Sequence, residues 1–364
     1  MRILLAGEST AGQLAPLVVV YEALREKTKE ITLHDSVEFM LISTESDFLK
    51  AFVQDTEIKY EALEEQKENQ KSSFLTSVKN FYKILMSVFK YMPDVIFVKG
   101  GFVSLPVAVA GKLFHIPVLL HISDAEPRKI DQTISRFTKR IAVSFENTKK
   151  LFDPDKVFFS GNPINTSVAG ADREESRKKF LIDGDKPVLF IMGGSQGAKT
   201  LNELVMETLP ELLQKYEIIH QCGIGDYEEI HKRVETMNVP FLDDYHLFPF
   251  MKQSLANAYS ACDLVVSRAG ANTVAEIMLV GKPSILIPFK NTGDNQNRNA
   301  FFYAETGAAV MINEKNLKPH LFIETVDSLF KSKLKIMEMM RAARQLAHPE
   351  AADTVADEII RLGR

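Results

Sequence analysis

Short apolar runs recur along this chain, each closed by a glycine or a polar cluster and followed by a helix-period stretch. In the first half the runs are Ile3 to Ala6, Val37 to Ile42, Asp94 to Val98, Val118 to His121, Ile141 to Val143 and Val157 to Phe159. In the second half they are Val188 to Met192, Ile218 to Gln221, Asp263 to Ser267 and Pro283 to Phe289. Runs this short and this continuously apolar predict strands buried on both faces, as in parallel sheets. Between them the period lengthens. Leu14 to Glu26 (with Pro16 in its first turn), Ser72 to Met92, Pro106 to Leu113, Lys199 to Leu213 and Thr273 to Val280 predict helices, the last stopped by Gly281. Glu61 to Lys71 is charged and reads as exposed, and Ala347 to Arg364 reads as an amphipathic helix. Each half opens with a strand feeding a glycine-containing turn. The fold class is therefore α/β, as two doubly wound, Rossmann-like units.

Length supports two units, since 364 residues exceed one simple core. A net charge of −4 gives no support for a nucleic-acid binder. Cys222 and Cys262 lie far from any metal-like spacing and read as buried thiols of a reducing compartment. No apolar run is long enough to span a bilayer, and Met1 to Ala6 reads as a strand rather than a secretion signal. His220, His231 and His246 are scattered without ligand spacing, and no acidic pair suits a metal, so neither metal nor cofactor is expected.

The turns carry the candidate chemistry. In Arg268-Ala-Gly-Ala-Asn272 the small residues let a ligand approach the backbone, and the following helix offers unpaired amides and the positive end of its dipole. A diphosphate fits there. Glu276, one turn further in, is placed to accept from ribose hydroxyls. Gln296 and Asn299, read within a polar loop from Lys290 to Asn299, suit sugar hydroxyls. Gly193-Gly-Ser-Gln-Gly-Ala198 is a second such turn, with Ser195 as a donor. No Gly-Lys-Ser/Thr ending follows, so it is not a P-loop. The loop Gly7 to Gln13 reads equally as a ligand loop or as a plain turn. On Ser72 to Met92 the stripe Leu75, Val78, Phe81, Tyr82, Leu85, Val88 and Phe89 reads either as core packing or as an apolar face flanked by Lys79, Lys83 and Lys90.

The run Ser267 to Glu276, with Pro288-Phe289 and Asp294 to Ala300, resembles the donor site of the MurG-like family, the undecaprenyl-diphospho-muramoylpentapeptide N-acetylglucosaminyltransferases of peptidoglycan synthesis. Gly193 to Ala198, Gly100-Gly-Phe102 and Ser160-Gly-Asn-Pro163 extend the resemblance over nearly the whole chain. It implies a GT-B fold, two domains facing across a cleft. Residues 1–164 with 346–364 are expected to form the acceptor-side, membrane-facing domain, and 165–345 the donor domain. It implies inverting transfer of N-acetylglucosamine from UDP-GlcNAc to a lipid-linked acceptor. The enzyme is expected as a peripheral protein on the cytoplasmic face of the membrane, meeting lipid through Leu75, Val78 and Phe81. Carried over residue by residue, the donor contacts are Thr10, Ala11, Gly12, Asp124, Asn165, Ser195, Met251, Ala271, Asn272, Thr273, Val274, Ala275, Glu276, Gln296 and Asn299.

The chain departs from that pattern on the acceptor side. The first loop keeps only Gly7 and Gly12 and gains a residue, and Gln13 stands where the family carries a histidine. Glutamine cannot accept a proton as a general base. Asp124 and Asp131 replace asparagines, and Asn165 stands where an arginine is common. Asp124, after a buried strand, is the expected catalytic base, with Glu8 and Asp131 as alternatives. These departures keep open a UDP-sugar transferase with another acceptor, a UDP-sugar epimerase or hydrolase, and a non-catalytic UDP-sugar-binding protein.

Overall fold

The computed structural model describes residues 1–31, 37–54, 56, 58–63, 73–194, 197–289 and 295–364, with the side chains at 11, 30, 31, 47, 48, 51 and 73–77 outside the description. Two compact units result, Met1–Ile164 with His348–Arg364, and Asn165–Ala347.

The first unit is a seven-stranded sheet of β1 (Arg2–Ala6), β2 (Glu38–Thr44), β3 (Lys59–Leu63), β4 (Val95–Val98), β5 (Val118–Ile122), β6 (Arg140–Val143) and β7 (Val157–Phe159). Its order is β3-β2-β1-β4-β5-β6-β7, and every pairing is parallel. The connecting helices are α1 (Ala11–Ile31), α2 (Asp47–Gln54), α3 (Ser73–Tyr91), α4 (Ser104–Leu113) and α5 (Lys129–Ile134). The second unit carries α6 (Arg173–Lys179), β8 (Val188–Met192), α7 (Lys199–Leu212), β9 (Glu217–Gln221), α8 (Tyr227–Glu235), β10 (Tyr245–Phe248), α9 (Leu255–Ala261), β11 (Leu264–Ser267), α10 (Ala271–Val280), β12 (Ser284–Leu286), α11 (Asn295–Glu305), β13 (Ala309–Met311), α12 (Pro319–Lys331) and α13 (Lys333–Gln345). Its sheet runs β10-β9-β8-β11-β12-β13, again all parallel.

Both sheets share one logic. The order reverses between β1 and β4 in one and between β8 and β11 in the other, so a crevice opens at the carboxyl ends of those strands. Strands β4, β5 and β8 are buried at every position, as their uninterrupted apolar runs require. The last helix, α14 (Ala351–Gly363), packs on α1 of the first unit. Val355, Ile359 and Ile360 are buried against Leu17, Val20 and Leu24, each worth roughly 2 kcal/mol of apolar burial. Lys27 to Asp357 at 2.9 Å and Arg140 to Glu358 at 2.7 Å border the seam.

Three expectations from the sequence are corrected. The segment read as charged and exposed begins on β3, where Glu61 is half-buried and bound to Lys83 at 2.7 Å. Lys83 also donates to the Ala62 carbonyl, so it turns inward rather than flanking the apolar stripe. The stripe itself divides: Ile84 and Val88 are core, while Val78, Phe81, Tyr82 and Phe89 are exposed. Gln296 and Asn299 lie on helix α11, not in a loop. Their polar run hid the helix, which packs on its few apolar positions.

Candidate active site

In the second unit, the β8 turn and the β11 turn meet at the switch point. Gly193 donates to the Gln221 carbonyl, and a Cβ on it would come within 2.7 Å of the Ala198 nitrogen. Gly197 has φ +79° and its Cβ would meet the Cys222 carbonyl at 2.5 Å, so only glycine closes this turn. Ser195, the expected donor between them, lies outside the described residues.

After β11 the chain enters α10 at Ala271, two residues earlier than its sequence pattern indicates. The N-cap is Gly270, which has no side chain to satisfy the first amides, and Ala271, Asn272 and Thr273 are partly exposed. That leaves helix-terminal N–H groups facing the crevice, the arrangement that binds anions. Val274 is buried in the helix core face, so its side chain supports rather than contacts; Ala275 stays partly exposed.

Glu276 sits one turn in. Its Oε2 accepts from the hydroxyl of buried Tyr259 at 3.1 Å, and Tyr259 packs edge-on against Phe190. Burial pushes the Glu276 carboxyl up to about 7, against the Tyr259 hydrogen bond, which favours the ionised form. Such a carboxylate is held in one orientation and near its point of ionisation.

The other donor-side residues divide between contact and support. Gln296 Oε1 accepts from the Phe289 amide at 2.9 Å, capping the end of the β12 strand. Asn299 is fully buried and its Nδ2 donates to the Ala269 carbonyl at 3.1 Å, so it fixes the turn from behind. Met251 is buried, its amide donating to Gln221 Oε1 at 2.9 Å, while Gln221 Nε2 reaches the Gly194 carbonyl at 3.3 Å. Asn165 is exposed and caps the short turn Thr166–Ala169 through Ser167 N. Tyr259 and Gln221 carry no sequence signal, because each lies in an apolar stretch and gains its partner only through the fold. Arg268 is turned away from the crevice, bound to Glu314 at 2.7 Å and to the Ile287 carbonyl.

In the first unit, the loops after β1, β4 and β5 form the corresponding crevice. Glu8 joins two of them: Oε1 accepts from the Phe102 amide at 2.7 Å and Oε2 from Gln13 Nε2 at 2.9 Å. Gln13 Oε1 in turn accepts from the Glu8 amide. The residue in the histidine position therefore shapes the loop. Gly101, at φ +82°, lets Glu8 approach; a Cβ there would meet Glu8 Oε1 at 2.6 Å. Thr10 is exposed, and Ala11 and Gly12 open α1.

Asp131 is 4% exposed and forms a two-pronged pair with Arg128, Nε to Oδ2 at 2.8 Å and Nη2 to Oδ1 at 3.0 Å. Its carboxylate also accepts from the Gly101 amide. Asp131 and Glu8 thus tie the loops together. Asp124 follows β5 directly, half-exposed, with the charges of Lys99 and Arg128 opposite it. The crevice thus gathers the expected base, Asp124, with both alternatives. Among the described residues no group of three His, Cys, Asp or Glu is arranged to hold a metal ion, and no helix is long and apolar enough to cross a membrane.

Comparison with known proteins agrees with this anatomy. Residues 3–143 match the glycosyltransferase family 28 N-terminal domain, and residues 188–355 its C-terminal domain. The UDP-N-acetylglucosamine–N-acetylmuramyl-(pentapeptide) pyrophosphoryl-undecaprenol N-acetylglucosamine transferase of Acetivibrio thermocellus is 32% identical, covering 99% of this chain and 97% of that protein. A Bacillus cereus transferase of the same name is 33% identical over 98% of this chain and 99% of its own length. The crystal structure of Acinetobacter baumannii MurG superposes with a TM-score of 0.77 at 24% identity, over 99% of both chains. The UDP-GlcNAc 2-epimerase of Neisseria meningitidis shares the fold at a TM-score of 0.70 and 14% identity, over 99% of this chain and all of that one. With full-length relatives at this identity and both domain models matched in order, the chain belongs to glycosyltransferase family 28 and, within it, to the MurG family of N-acetylglucosaminyltransferases.

Proposed function

We propose that this chain transfers N-acetylglucosamine from UDP-GlcNAc to a lipid-linked N-acetylmuramyl-pentapeptide, with inversion at the anomeric carbon. The observation that carries the reading is the pairing, on one helix, of an uncapped N-terminus at Gly270–Thr273 with the buried, oriented carboxylate of Glu276. One recognises a diphosphate and the other the ribose hydroxyls, at the spacing of a nucleoside diphosphate. Gln296 stands beside them to meet the sugar.

The reaction is a displacement. The acceptor hydroxyl oxygen attacks the anomeric carbon and the carbon–oxygen bond to the diphosphate breaks. Asp124 takes the hydroxyl proton, and UDP leaves with its charge facing the α10 amides and the helix dipole. Glu8 and Asp131, each committed to loop contacts, set the walls around Asp124.

The acceptor is a membrane lipid, and the exposed face of α3 suits its surface. Val78 and Phe81 are 50% and 42% exposed, beside Tyr82 and Phe89. The Leu75 side chain lies outside the described residues. An interfacial helix of this kind couples apolar burial to attraction for anionic lipid. The protein is assigned to the cytoplasmic membrane face, where UDP-sugars and such lipids meet. A second reading, the same donor with another acceptor, draws on the Glu8–Gln13 pair in place of the histidine loop.

Incubating the protein with labelled UDP-GlcNAc and a membrane lipid extract tests this. Label in a lipid bearing muramyl-pentapeptide supports the proposal. Label in another acceptor supports the second reading. Free sugar or its 2-epimer, formed without lipid, refutes both.

A further inference from the structure

Lys99 directly follows β4, between an apolar strand and the Gly100–Gly101 turn, at the switch point of the first sheet. Its side chain is 4% exposed. A buried amine is costly unless paired, so its surroundings have to account for it. Its Nζ donates to Ser123 Oγ, the hydroxyl of the residue before Asp124. From the β5–α5 connection and α5 itself, Asp124 and Asp131 attract its charge and Arg128 opposes it. From β5, His121 packs nearby as a neutral ring, Nε2 toward the Gly161 carbonyl and Nδ1 buried without a hydrogen-bond partner among the described residues. From the β1 side the neighbour is Gly7, whose Cβ would sit 3.3 Å from that of Lys99.

We propose that Lys99 is a positioning residue for the transfer reaction, holding through Ser123 the turn that carries Asp124 and setting by its charge the strength of Asp124 as a base. The inference rests on Asp124 being the proton acceptor. At 4% exposure the amine does not reach a substrate, so its influence passes through what it touches. Burial, opposed by the two aspartates, pushes the ammonium down to about 7. Around neutrality the group therefore exists in both forms. Protonated Lys99 weakens Asp124 as a base; loss of that proton strengthens it, so turnover rises with pH through the Lys99 transition.

The sequence alone points to Lys99 only as an odd charge before a double glycine. The fold adds the Ser123 link and the ring of opposed charges, which makes a test possible. Lysine Cε NMR should show one resonance, absent in Lys99→Met, with a midpoint near 7 that moves lower in Asp124→Asn, because an attractive anion is gone. In the kcat–pH profile, Lys99→Met should lose the inflection near neutrality. At pH 8 it should turn over about tenfold slower, with KM for UDP-GlcNAc unchanged. Ser123→Ala should slow turnover but keep the inflection, and Ser123→Thr, which retains the hydroxyl, should restore it. A Lys99 midpoint above 9, or one indifferent to Asp124→Asn, overturns the coupling. Wild-type turnover and profile in Lys99→Met, with Asp124→Asn inactive, overturn the positioning role alone. Normal turnover in Asp124→Asn overturns the base assignment and, with it, any part for Lys99 in transfer.

Discussion

Replacing Glu276 by glutamine should make the protein more stable and a poorer enzyme, and the two effects should carry different pH signatures. The carboxyl is raised from 4.5 to about 7 by burial, so ionising it inside the fold costs about 3 kcal/mol more than in the unfolded chain. Below pH 4.5 both states hold the proton and that cost vanishes. As pH climbs the unfolded chain ionises first, and wild-type stability falls until the folded group ionises too, near 7. The amide introduced by Glu276→Gln keeps an acceptor for Tyr259 and never carries the charge. At pH 8 the variant should therefore gain about 3 kcal/mol, or roughly 6–12 °C in the melting transition of the second unit, and nothing at pH 4. Calorimetric melting at the two pH values reads this directly. Binding runs the other way. The ionised carboxylate accepts ribose hydroxyls through charge-assisted bonds worth about 1.5–3 kcal/mol, so the variant should bind UDP-GlcNAc roughly tenfold to a hundredfold more weakly. UDP-GlcNAc is the right probe because its diphosphodiester does not titrate near neutrality. Wild-type affinity should rise through pH 7, while that of the variant stays flat. Equal melting shifts at both pH values, or undiminished affinity, would refute the assignment of Glu276.

Three further outcomes are expected. Asp124→Asn should lower turnover about a hundredfold with UDP affinity intact, measured by steady-state kinetics and calorimetry. Asp131→Asn should cost roughly 3–5 kcal/mol of first-unit stability, because it strips a buried partner from Arg128; urea unfolding checks it. Val78→Ser with Phe81→Ser should reduce binding to anionic vesicles in a flotation assay while the melting transition stays put, since both side chains are already exposed.

Much of this anatomy is legible in the linear chain, and what is not has identifiable causes. Buried parallel strands announce themselves as unbroken apolar runs, and the turns that follow announce themselves by glycines that only close backbone approach requires, as at Gly193 and Gly197. Edge strand β3 and helix α2 escape notice because their alternation is interrupted by charge, and Glu61 is satisfied by Lys83 from a distant helix. Helix α11 is masked by its own polarity, since Gln296 and Asn299 serve as caps and staples on neighbouring turns. Lys99, Gln221 and Tyr259 acquire meaning only from partners on other strands or helices, which no local window contains.

The return of α14 to the first unit has a consequence for synthesis. The second unit is one unbroken stretch of chain, Asn165–Ala347, whereas the first is interrupted by it and finished by residues made last. On the ribosome the nucleotide-binding half can complete itself while its partner is still missing a helix. Until α14 emerges, the apolar face of Leu17, Val20 and Leu24 on α1 has nothing to cover it. The half that begins first therefore matures last, and a nascent chain stalled before residue 348 presents a greasy α1 face that chaperones would recognise.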